Sequence, residues 1–378
     1  MVLRNIAYMT TTPTFGIREL AEKAKKEGAI DLAQGVIDAN PPKVLLDTLR
    51  SLPLEQYSRY NNKRGVPEYR EAMASYLSHR NWNVSVDSVM AIAGSVGGTA
   101  GAILTHARPG ATVILPEPFF IGHKLLLESL GFVIRFFPTP LDSEPDWNAL
   151  ESAMKDADAF LLTTPANPTG VVATPDRLAR FSKVAKETNC LLVIDDMYRE
   201  FIWGEEFDDS EYANIDFTTT ILLRSFSKTL AIPGWRTGFA VTSPERVEAM
   251  ATVHDSLYLG GSTIGQYALA HTFSNSMSEI DVYVSDLRAM LLRNHSLLEE
   301  AFTAYGMNPL PVPGAYYMII KHNRESDMVA MEELIAKKVV TTPVNILFSD
   351  TSKDTGYIRA HFACSEEHAK QVADILKA

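Results

Sequence analysis

The sequence contains little cysteine and no excess of positive charge. Its 378 residues include two cysteines, Cys190 and Cys364, which lie far apart and form no CxxC pattern. We therefore expect two free buried thiols rather than a disulfide or a metal site. The formal net charge of −11 disfavours nucleic acid and anionic membranes as the main partner.

Long apolar runs and targeting signals are also absent. No segment approaches the roughly 18 consecutive apolar residues that a transmembrane helix requires. The first residues lack the basic stretch and apolar core of a signal peptide. Four histidines, His106, His123, His254 and His361, show no metal-ligand spacing, and we interpret them as ordinary side chains. The sequence therefore predicts a cytoplasmic protein without a metal site.

Apolar runs alternate with helix-like segments in the central part of the chain. Seven runs predict strands at residues 88–93, 111–115, 132–136, 159–163, 191–195, 219–224 and 237–241. Helical patterns separate most of them, at residues 98–107, 122–129 and 175–188. Continuously apolar strands separated by helices are typical of a parallel sheet covered on both faces. The pattern predicts a doubly wound α/β domain with a mostly parallel seven-stranded sheet.

The length of the chain exceeds what one simple core can bury, so we expect two domains. After residue 263 the pattern becomes mostly helical, and the C-terminal part mixes strands with helices. We predict a large domain over residues 43–281. A smaller α+β domain would combine residues 1–42 with residues 282–378.

Polar residues follow four of the predicted strands. In open α/β sheets, ligands bind outside the carboxyl ends of the strands. We therefore expect one crevice to be lined by residues from four strand ends: Gly94, Ser95, Val96, Asn167, Asp195, Tyr198, Ser225, Ser227, Lys228 and Arg236.

This set of side chains suits pyridoxal phosphate. Lysine is the residue type that forms a Schiff base with this cofactor, and Lys228 follows a buried strand. The Gly94-Ser95-Val96 turn opens a helix and offers backbone N–H groups to a phosphate. Ser225, Ser227 and Arg236 add hydroxyls and a guanidinium suited to bidentate contact.

The remaining residues suit the cofactor ring. Asp195 would pair with the pyridine nitrogen and keep it protonated, because an opposite charge favours the charged form. A protonated ring is the electron sink that stabilises a substrate carbanion. Asn167 and Tyr198 can hydrogen-bond the phenolic oxygen of the ring.

Taken together, these motifs resemble the class I/II aminotransferases of pyridoxal-phosphate fold type I, the aspartate aminotransferase superfamily. The resemblance extends from about Asp31 to the C-terminus. It implies pyridoxal 5′-phosphate as cofactor, amino acids and 2-oxo acids as substrates, and a homodimer whose active sites form between two subunits. The matching motifs are Asn167-Pro168-Thr169-Gly170, Asp195-x-x-Tyr198, Ser225-x-Ser227-Lys228 with Arg236 eight residues later, and Tyr357-Ile358-Arg359-Ala360-His361-Phe362-Ala363.

The resemblance also implies roles for residues outside the strand ends. Arg359 matches the arginine that holds the substrate α-carboxylate, and Asn167 and Gly35 match residues close to that carboxylate. Phe120 matches the aromatic residue stacked on the cofactor ring. Tyr60 matches a tyrosine that reaches the phosphate bound by the neighbouring subunit.

The predicted reaction is a ping-pong transamination with Lys228 as Schiff-base lysine and proton shuttle. Fold type I also hosts β-lyases, decarboxylases and cyclising or oxidising synthases, and ring and phosphate contacts do not separate these reactions. A regulatory protein on this fold would need an added DNA-binding domain, and the acidic balance disfavours one. A nicotinamide enzyme is disfavoured because residues 94–98 do not match G-x-G-x-x-G.

Three residues depart from the family pattern at or near the crevice: Val36, Asp196 and His361. Asp196 stands where the family usually has glutamate, and His361 stands in place of serine. Four aromatic residues favour a roomy pocket for neutral or aromatic amino acids: Phe15, Tyr60, Tyr258 and Tyr316. The sequence leaves the amino donor, the oxo-acid acceptor and the pathway open.

Overall fold

The computed structural model describes residues 16–204 and 208–378. Its strands are β1 (Ile30–Asp31), β2 (Val89–Ile92), β3 (Thr112–Glu117), β4 (Val133–Pro138), β5 (Ala159–Thr163), β6 (Leu191–Asp195), β7 (Thr220–Ser225), β8 (Gly238–Val241), β9 (Asn308–Pro309), β10 (Tyr317–Lys321), β11 (Val339–Val340), β12 (Thr342–Pro343) and β13 (Tyr357–His361).

The helices surround these strands. They are α1 (Ile17–Glu27), α2 (Lys43–Ser51), α3 (Leu54–Tyr57), α4 (Pro67–His79), α5 (Gly94–His106), α6 (Ile121–Ser129), α7 (Trp147–Ala153), α8 (Pro175–Thr188), α9 (Phe226–Thr229), α10 (Pro244–Tyr258), α11 (Thr263–Asn275), α12 (Met277–Ala304), α13 (Asp327–Ala336) and α14 (Glu366–Lys377). None of the helices in the described ranges is both long and apolar enough to span a bilayer.

A seven-stranded sheet in the order β2-β8-β7-β6-β5-β3-β4 forms the centre of the larger part. Strand β8 is antiparallel to β2 and β7, and the other pairs are parallel. Every residue of β2, β6, β7 and β8 is buried, as expected for strands covered on both faces. The predicted doubly wound, mostly parallel sheet is confirmed.

Local sequence signals predict the boundaries of several helices and strands. Strands β5 and β6 and helix α8 have the predicted first and last residues. Helix α8 begins where the Thr174 hydroxyl accepts a hydrogen bond from the Arg177 N–H and Pro175 occupies the first turn. The mostly helical region predicted after residue 263 consists of α11 and α12, which are separated because Ser276 leaves the helical conformation at φ −142° and ψ 39°.

A second, four-stranded sheet in the order β12-β13-β10-β9 lies in the C-terminal part. The N-terminal segment packs with that part: β1 pairs in parallel with β11, and Leu20 shares a buried cluster with Met331 and Ile335. Helix α12 runs without interruption past residue 281. The domain boundaries at residues 42 and 281 stay a prediction.

The carboxyl ends of β5, β6 and β7 face this second sheet. The Phe119 N–H donates to the Leu347 carbonyl oxygen over 2.9 Å, and the Trp203 N–H donates to the Pro313 carbonyl oxygen over 3.0 Å. These backbone bonds join the two parts of the chain on either side of a crevice. The crevice is the place where the parallel strands of an α/β sheet present ligand-binding residues.

A buried ion cluster anchors two of the strand ends from the opposite face of the sheet. Arg224 on β7 donates from Nε to Asp196 over 2.9 Å and from Nη1 to Asp209 over 2.8 Å. Arg199 pairs with Asp209 over 2.7 Å. Burial raises the pKa of Asp196 to about 6, against the lowering effect of Arg224 and Arg199. Side chains alternate between the two faces along a strand, so Asp196 and Arg224 point away from their neighbours Asp195 and Ser225. By holding Asp196 and Arg224, the cluster fixes the backbone at both strand ends.

Removing Arg224 should strongly destabilise the protein. In the Arg224→Met variant, Asp196 loses its close cationic partner while remaining buried. We expect the free energy of unfolding to fall by about 3–5 kcal/mol, as for one broken partner of a buried pair. The matched control is Arg50→Met, whose ion pair with Asp47 is exposed and should contribute about 1 kcal/mol or less. Urea unfolding followed by tryptophan fluorescence compares the two, and equal shifts would contradict the expectation.

Candidate active site

Lys228 lies at the carboxyl end of β7, in the short helix α9. The Ser225 hydroxyl caps this helix by accepting a hydrogen bond from the Ser227 N–H. The Lys228 Nζ atom donates to the Gly35 carbonyl oxygen over 2.5 Å and lies 5.9 Å from the centroid of the Tyr316 ring. The amine therefore meets the N-terminal segment and the second sheet across the crevice.

The environment of Lys228 favours the neutral amine. Burial lowers the pKa of Lys228, and the positive charges of Arg359 and Arg236 lower it further, against an opposing effect of Tyr317. The side chain is half-buried, and its amine contacts the half-buried Gly35 and lies near the buried Tyr316 ring. A lysine serves as nucleophile or base only when it is neutral.

Arg236 lies next to the Lys228 helix in a left-handed backbone conformation, with φ +54°. Its guanidinium donates to the carbonyl oxygens of Pro233 over 2.9 Å and Ala93 over 3.3 Å, and to the Ser227 hydroxyl over 3.5 Å. These acceptors are neutral oxygens. The Ser225 hydroxyl donates to Ser227 over 2.9 Å, so the hydroxyls and the guanidinium form one polar cluster.

The first turn of α5 lies against this cluster. Gly94 has φ +71°, and a Cβ atom at this position would overlap the Arg236 guanidinium. Ser95 is buried with its hydroxyl 3.8 Å from the Met197 sulfur, and Val96 is half-buried. The structure thus brings the helix N-terminus, the guanidinium and the two hydroxyls together, which is an arrangement that can bind an anion.

Asp195 ends β6 with a buried carboxylate, exposed by 1%. Its Oδ2 atom lies 3.2 Å from Nε2 of His123, which is equally buried. Its Oδ1 atom has no hydrogen-bond partner among the described residues. The Phe120 ring meets the His123 ring edge-on, with centroids 5.2 Å apart. The interpretation of His123 as an ordinary side chain missed this contact, because nothing in the local sequence points from α6 to β6.

Three tyrosines meet in the crevice, Tyr198 after β6 and Tyr316 and Tyr317 at the start of β10. The hydroxyl groups of Tyr198 and Tyr317 lie 3.1 Å apart, and the Tyr316 hydroxyl donates to the Gly35 carbonyl oxygen over 3.0 Å. Burial raises the pKa of Tyr198 and of Tyr316 well above its usual range, so both phenols stay protonated. A Cβ atom on Gly35 would overlap the Tyr317 ring. The sequence did not single out Tyr317.

Arg359 lies on β13 with 2% exposure. Its guanidinium donates to Asn167 Oδ1 over 2.9 Å, to the Ala33 carbonyl oxygen over 2.5 Å and to the Thr342 hydroxyl over 3.2 Å. It lies over the Tyr317 ring, 4.6 Å from the centroid. Its Nε atom has no hydrogen-bond partner within the described chain. All of these partners are neutral, so the buried cation can accept an anionic ligand.

Two of the predicted aromatic residues lie outside this group. Tyr60 is 82% exposed and Tyr258 is 38% exposed. Phe15 lies outside the described residues. Of the aromatic residues expected around the substrate, the structure therefore places Tyr316 beside Lys228. Across residues 16–204 and 208–378, no group of three or more His, Cys, Asp or Glu side chains could hold a metal ion.

The three departures from the family pattern have different surroundings. Asp196 belongs to the buried ion cluster, and Val36 is 41% exposed. His361 lies on β13 two residues after Arg359 and is buried. Burial lowers the pKa of His361 to about 3, and the charges of Arg359 and Lys228 act in the same direction. Its Nδ1 atom accepts the Ala363 N–H over 3.2 Å.

The chain is similar to aminotransferases in sequence and in structure. The family model for aminotransferase class I and II matches residues 27–376. The putative aminotransferase YugH of Bacillus subtilis is 28% identical over 379 residues, covering 96% of this chain and 95% of that protein. The aspartate/prephenate aminotransferase of Thermus thermophilus is 24% identical over 380 residues, covering 98% and 96%.

Solved structures share the fold. A variant of Thermus thermophilus aspartate aminotransferase superposes with a TM-score of 0.87 at 23% identity, covering 99% of this chain and 98% of that chain. YbdL from Escherichia coli, described as having a methionine aminotransferase function, gives a TM-score of 0.87 at 20% identity and covers 97% of both chains.

The buried His361 should make stability depend on pH. Its pKa is about 3 in the folded protein against 6.5 unfolded, so only the unfolded chain binds a proton between these values. The stability that neutral His361 contributes is complete above pH 6.5 and is lost as the pH falls. The advantage of the wild type over His361→Asn should therefore shrink by on the order of 2 kcal/mol between pH 7 and about 4.5. Thermal unfolding at each pH measures it, with His271→Asn at an exposed position as control.

Proposed function

The chain belongs to the aminotransferase class I and II family and is an aminotransferase, and on this premise we propose that it uses pyridoxal 5′-phosphate. It moves the amino group between an L-amino acid and a 2-oxo acid by a ping-pong mechanism. The observation that carries the proposal is the meeting of three buried groups in one crevice. These are the Lys228 amine, the Asp195 carboxylate with its unpartnered oxygen, and the Arg359 guanidinium with its neutral partners.

The residues present fit this cofactor. The unpartnered, buried Oδ1 atom of Asp195 needs a donor, and a protonated pyridine nitrogen is such a donor. Gly94 has no Cβ atom, which lets the Arg236 guanidinium lie directly against the backbone of the first turn of α5. Ser225 and Ser227 offer hydroxyls at the same place. When bound, pyridoxal 5′-phosphate supplies an aldehyde that bonds to amines and a ring that accepts electrons from the substrate carbon.

Lys228 has two roles in this proposal. It would hold the cofactor covalently through its amine. The same amine would also carry the proton that leaves the substrate α-carbon. Both roles require the neutral amine, which the lowered pKa of Lys228 favours.

Asp195, Asn167 and Tyr198 act on the ring. The Asp195 carboxylate would keep the pyridine nitrogen protonated, and His123 lies on its other side, with Nε2 3.2 Å from Oδ2. Tyr198 stays protonated and can donate to the phenolic oxygen. Asn167 accepts from Arg359 through its oxygen, which leaves its amide N–H groups free to donate. Phe120, half-buried beside His123, packs on the ring face.

Arg359 binds the α-carboxylate of the substrate. A buried guanidinium with neutral partners gains most from an anion, and its fork geometry suits both carboxylate oxygens. Gly35 lies between Lys228 and Tyr316, so its backbone borders the same space. The tyrosines around this space favour neutral or aromatic amino acids as donors.

The exposed position of Tyr60 supports a homodimer with shared active sites. A tyrosine that is 82% exposed in one subunit can reach a phosphate in the other. Exposed apolar side chains also occur at Leu54, Tyr258 and Leu259, as expected of a surface that a partner covers.

We further propose a large domain over residues 43–281, a small one over residues 1–42 and 282–378, and a cytoplasmic location that suits two free buried cysteines.

Lys228→Ala tests the assignment of the lysine directly. We expect the variant to lose the visible absorption of the bound cofactor and activity to fall by about 10²–10⁴-fold or more, since an acid–base group and the covalent anchor are both lost. Borohydride reduction of the wild type followed by peptide mass spectrometry should find the cofactor on Lys228. Lys321→Ala, at an exposed lysine, is the control. Cofactor found on another lysine would falsify the assignment.

Subunit hybrids test the role of Tyr60. Lys228→Ala and Tyr60→Ala homodimers should both be weakly active. In a hybrid dimer of the two variants, one of the two sites has Lys228 from one subunit and Tyr60 from the other and is therefore intact. Since only part of the dimers in a random equal mixture are hybrids, about one quarter of all sites are restored. Activity is measured after unfolding and refolding the mixture. Failure to recover activity, with a dimer seen by ultracentrifugation, would show that Tyr60 acts within its own subunit.

A further inference from the structure

His254 on α10 is fully buried, and its Nε2 atom accepts a hydrogen bond from the Ala93 N–H over 3.0 Å. Ala93 is the residue immediately before α5, the helix whose first turn we assign to the phosphate. We propose that His254 is a positioning residue of the phosphate site, which orients the first turn of α5 through the Ala93 peptide. This inference rests on the proposed function, because it assumes that the turn binds the cofactor phosphate.

The Ala93 backbone is held at both of its polar groups. His254 binds its N–H, and the Arg236 guanidinium donates to its carbonyl oxygen over 3.3 Å. Gly94 follows at φ +71°, where a Cβ atom would overlap Arg236. The direction of the N–H groups of Gly94, Ser95 and Val96 therefore depends on how this backbone is fixed. A phosphate bound by such N–H groups is sensitive to their direction, since hydrogen bonds weaken steeply with angle.

Helix α10 is built to bring His254 close to α5. Tyr258 lies one turn later on α10 and packs against the His254 ring, with centroids 4.8 Å apart. Opposite them, α5 carries glycine at positions 97 and 101. A Cβ atom at Gly101 would lie 3.5 Å from His254, and one at Gly97 would lie 3.3 Å from Tyr258. The distance at Gly97 is tighter than usual and that at Gly101 is an ordinary contact, so the two helices lie close together where the imidazole reaches the Ala93 N–H.

The imidazole is in the protonation state that this hydrogen bond needs. Burial lowers the pKa of His254 to about 4, against a smaller raising effect of Asp255. The ring is therefore neutral at physiological pH, and Nε2 has a lone pair with which to accept. The interpretation of His254 as an ordinary side chain missed this role, since the contact joins residues 161 positions apart.

Two substitutions separate the hydrogen bond from the packing. His254→Gln places an amide oxygen at about the distance of Nε2 and can still accept, whereas His254→Met fills similar space without a strong acceptor. His271→Met, at an exposed histidine on α11, is the control. Dissociation constants of the apoenzymes are measured for pyridoxal 5′-phosphate and for pyridoxal, which lacks the phosphate. Thermal unfolding is recorded for each variant.

We expect His254→Met to weaken binding of pyridoxal 5′-phosphate roughly tenfold, the effect of one lost buried hydrogen bond, with pyridoxal affinity unchanged. His254→Gln should stay within about threefold of the wild type for both ligands. Hydrogen exchange of the peptide containing Ala93 should be faster in His254→Met alone. A loss of stability common to His254→Met and His254→Gln would not produce these differences between the two variants.

Two outcomes would overturn the inference. One is unchanged binding of pyridoxal 5′-phosphate by His254→Met, and the other is an equal loss of affinity for both ligands, which marks a general structural role. If His254→Met does not fold, the test rests on His254→Gln, in which the glutamine should replace the hydrogen bond. Weaker binding of pyridoxal 5′-phosphate, but not of pyridoxal, by folded His254→Gln than by His271→Met would then contradict the inference. A wild-type protein that binds neither ligand refutes the proposed cofactor instead, so the two failures are distinguishable.

Discussion

The guanidinium of Arg359 is the interaction on which the site depends, because it is a buried cation held by neutral partners. Its hydrogen bonds go to Ala33 in the N-terminal segment, Asn167 after β5 and Thr342 on β12. Burying a charge is unfavourable, and Tyr317 below the guanidinium and the nearby charge of Asp31 compensate in part. One charged group thus joins three distant segments, and none of its hydrogen-bond partners is an anion.

Burial away from water also shifts the pKa values of other groups in the site, and the direction differs from group to group. Burial lowers the pKa of Lys228 and raises that of Tyr198, because each group avoids the charged form in an environment of low polarity. The Asp195 carboxylate is accommodated differently, beside His123. A lowered amine pKa and a phenol that stays protonated suit groups that transfer protons at a substrate.

Charge on the far face of the sheet supports this arrangement. Asp196 and Arg224 are the direct neighbours in sequence of Asp195 and Ser225, and they form a buried ion pair across β6 and β7. Because alternate residues of a strand point to opposite faces, the pair can fix both strand ends without entering the crevice. His254 and α10 have a comparable place behind the first turn of α5.

The sequence by itself determined the sheet and the residues at its edge. Strands buried on both faces are uninterrupted apolar runs, so β5 and β6 were predicted to the residue. Asp195 is the last residue of β6, and Lys228 follows the end of β7. Only the tertiary structure decided that His123, Tyr317 and His254 contact Asp195, Tyr198 and Ala93. Their partners lie on other helices and strands, and no local pattern encodes a contact between elements whose packing sets their distance.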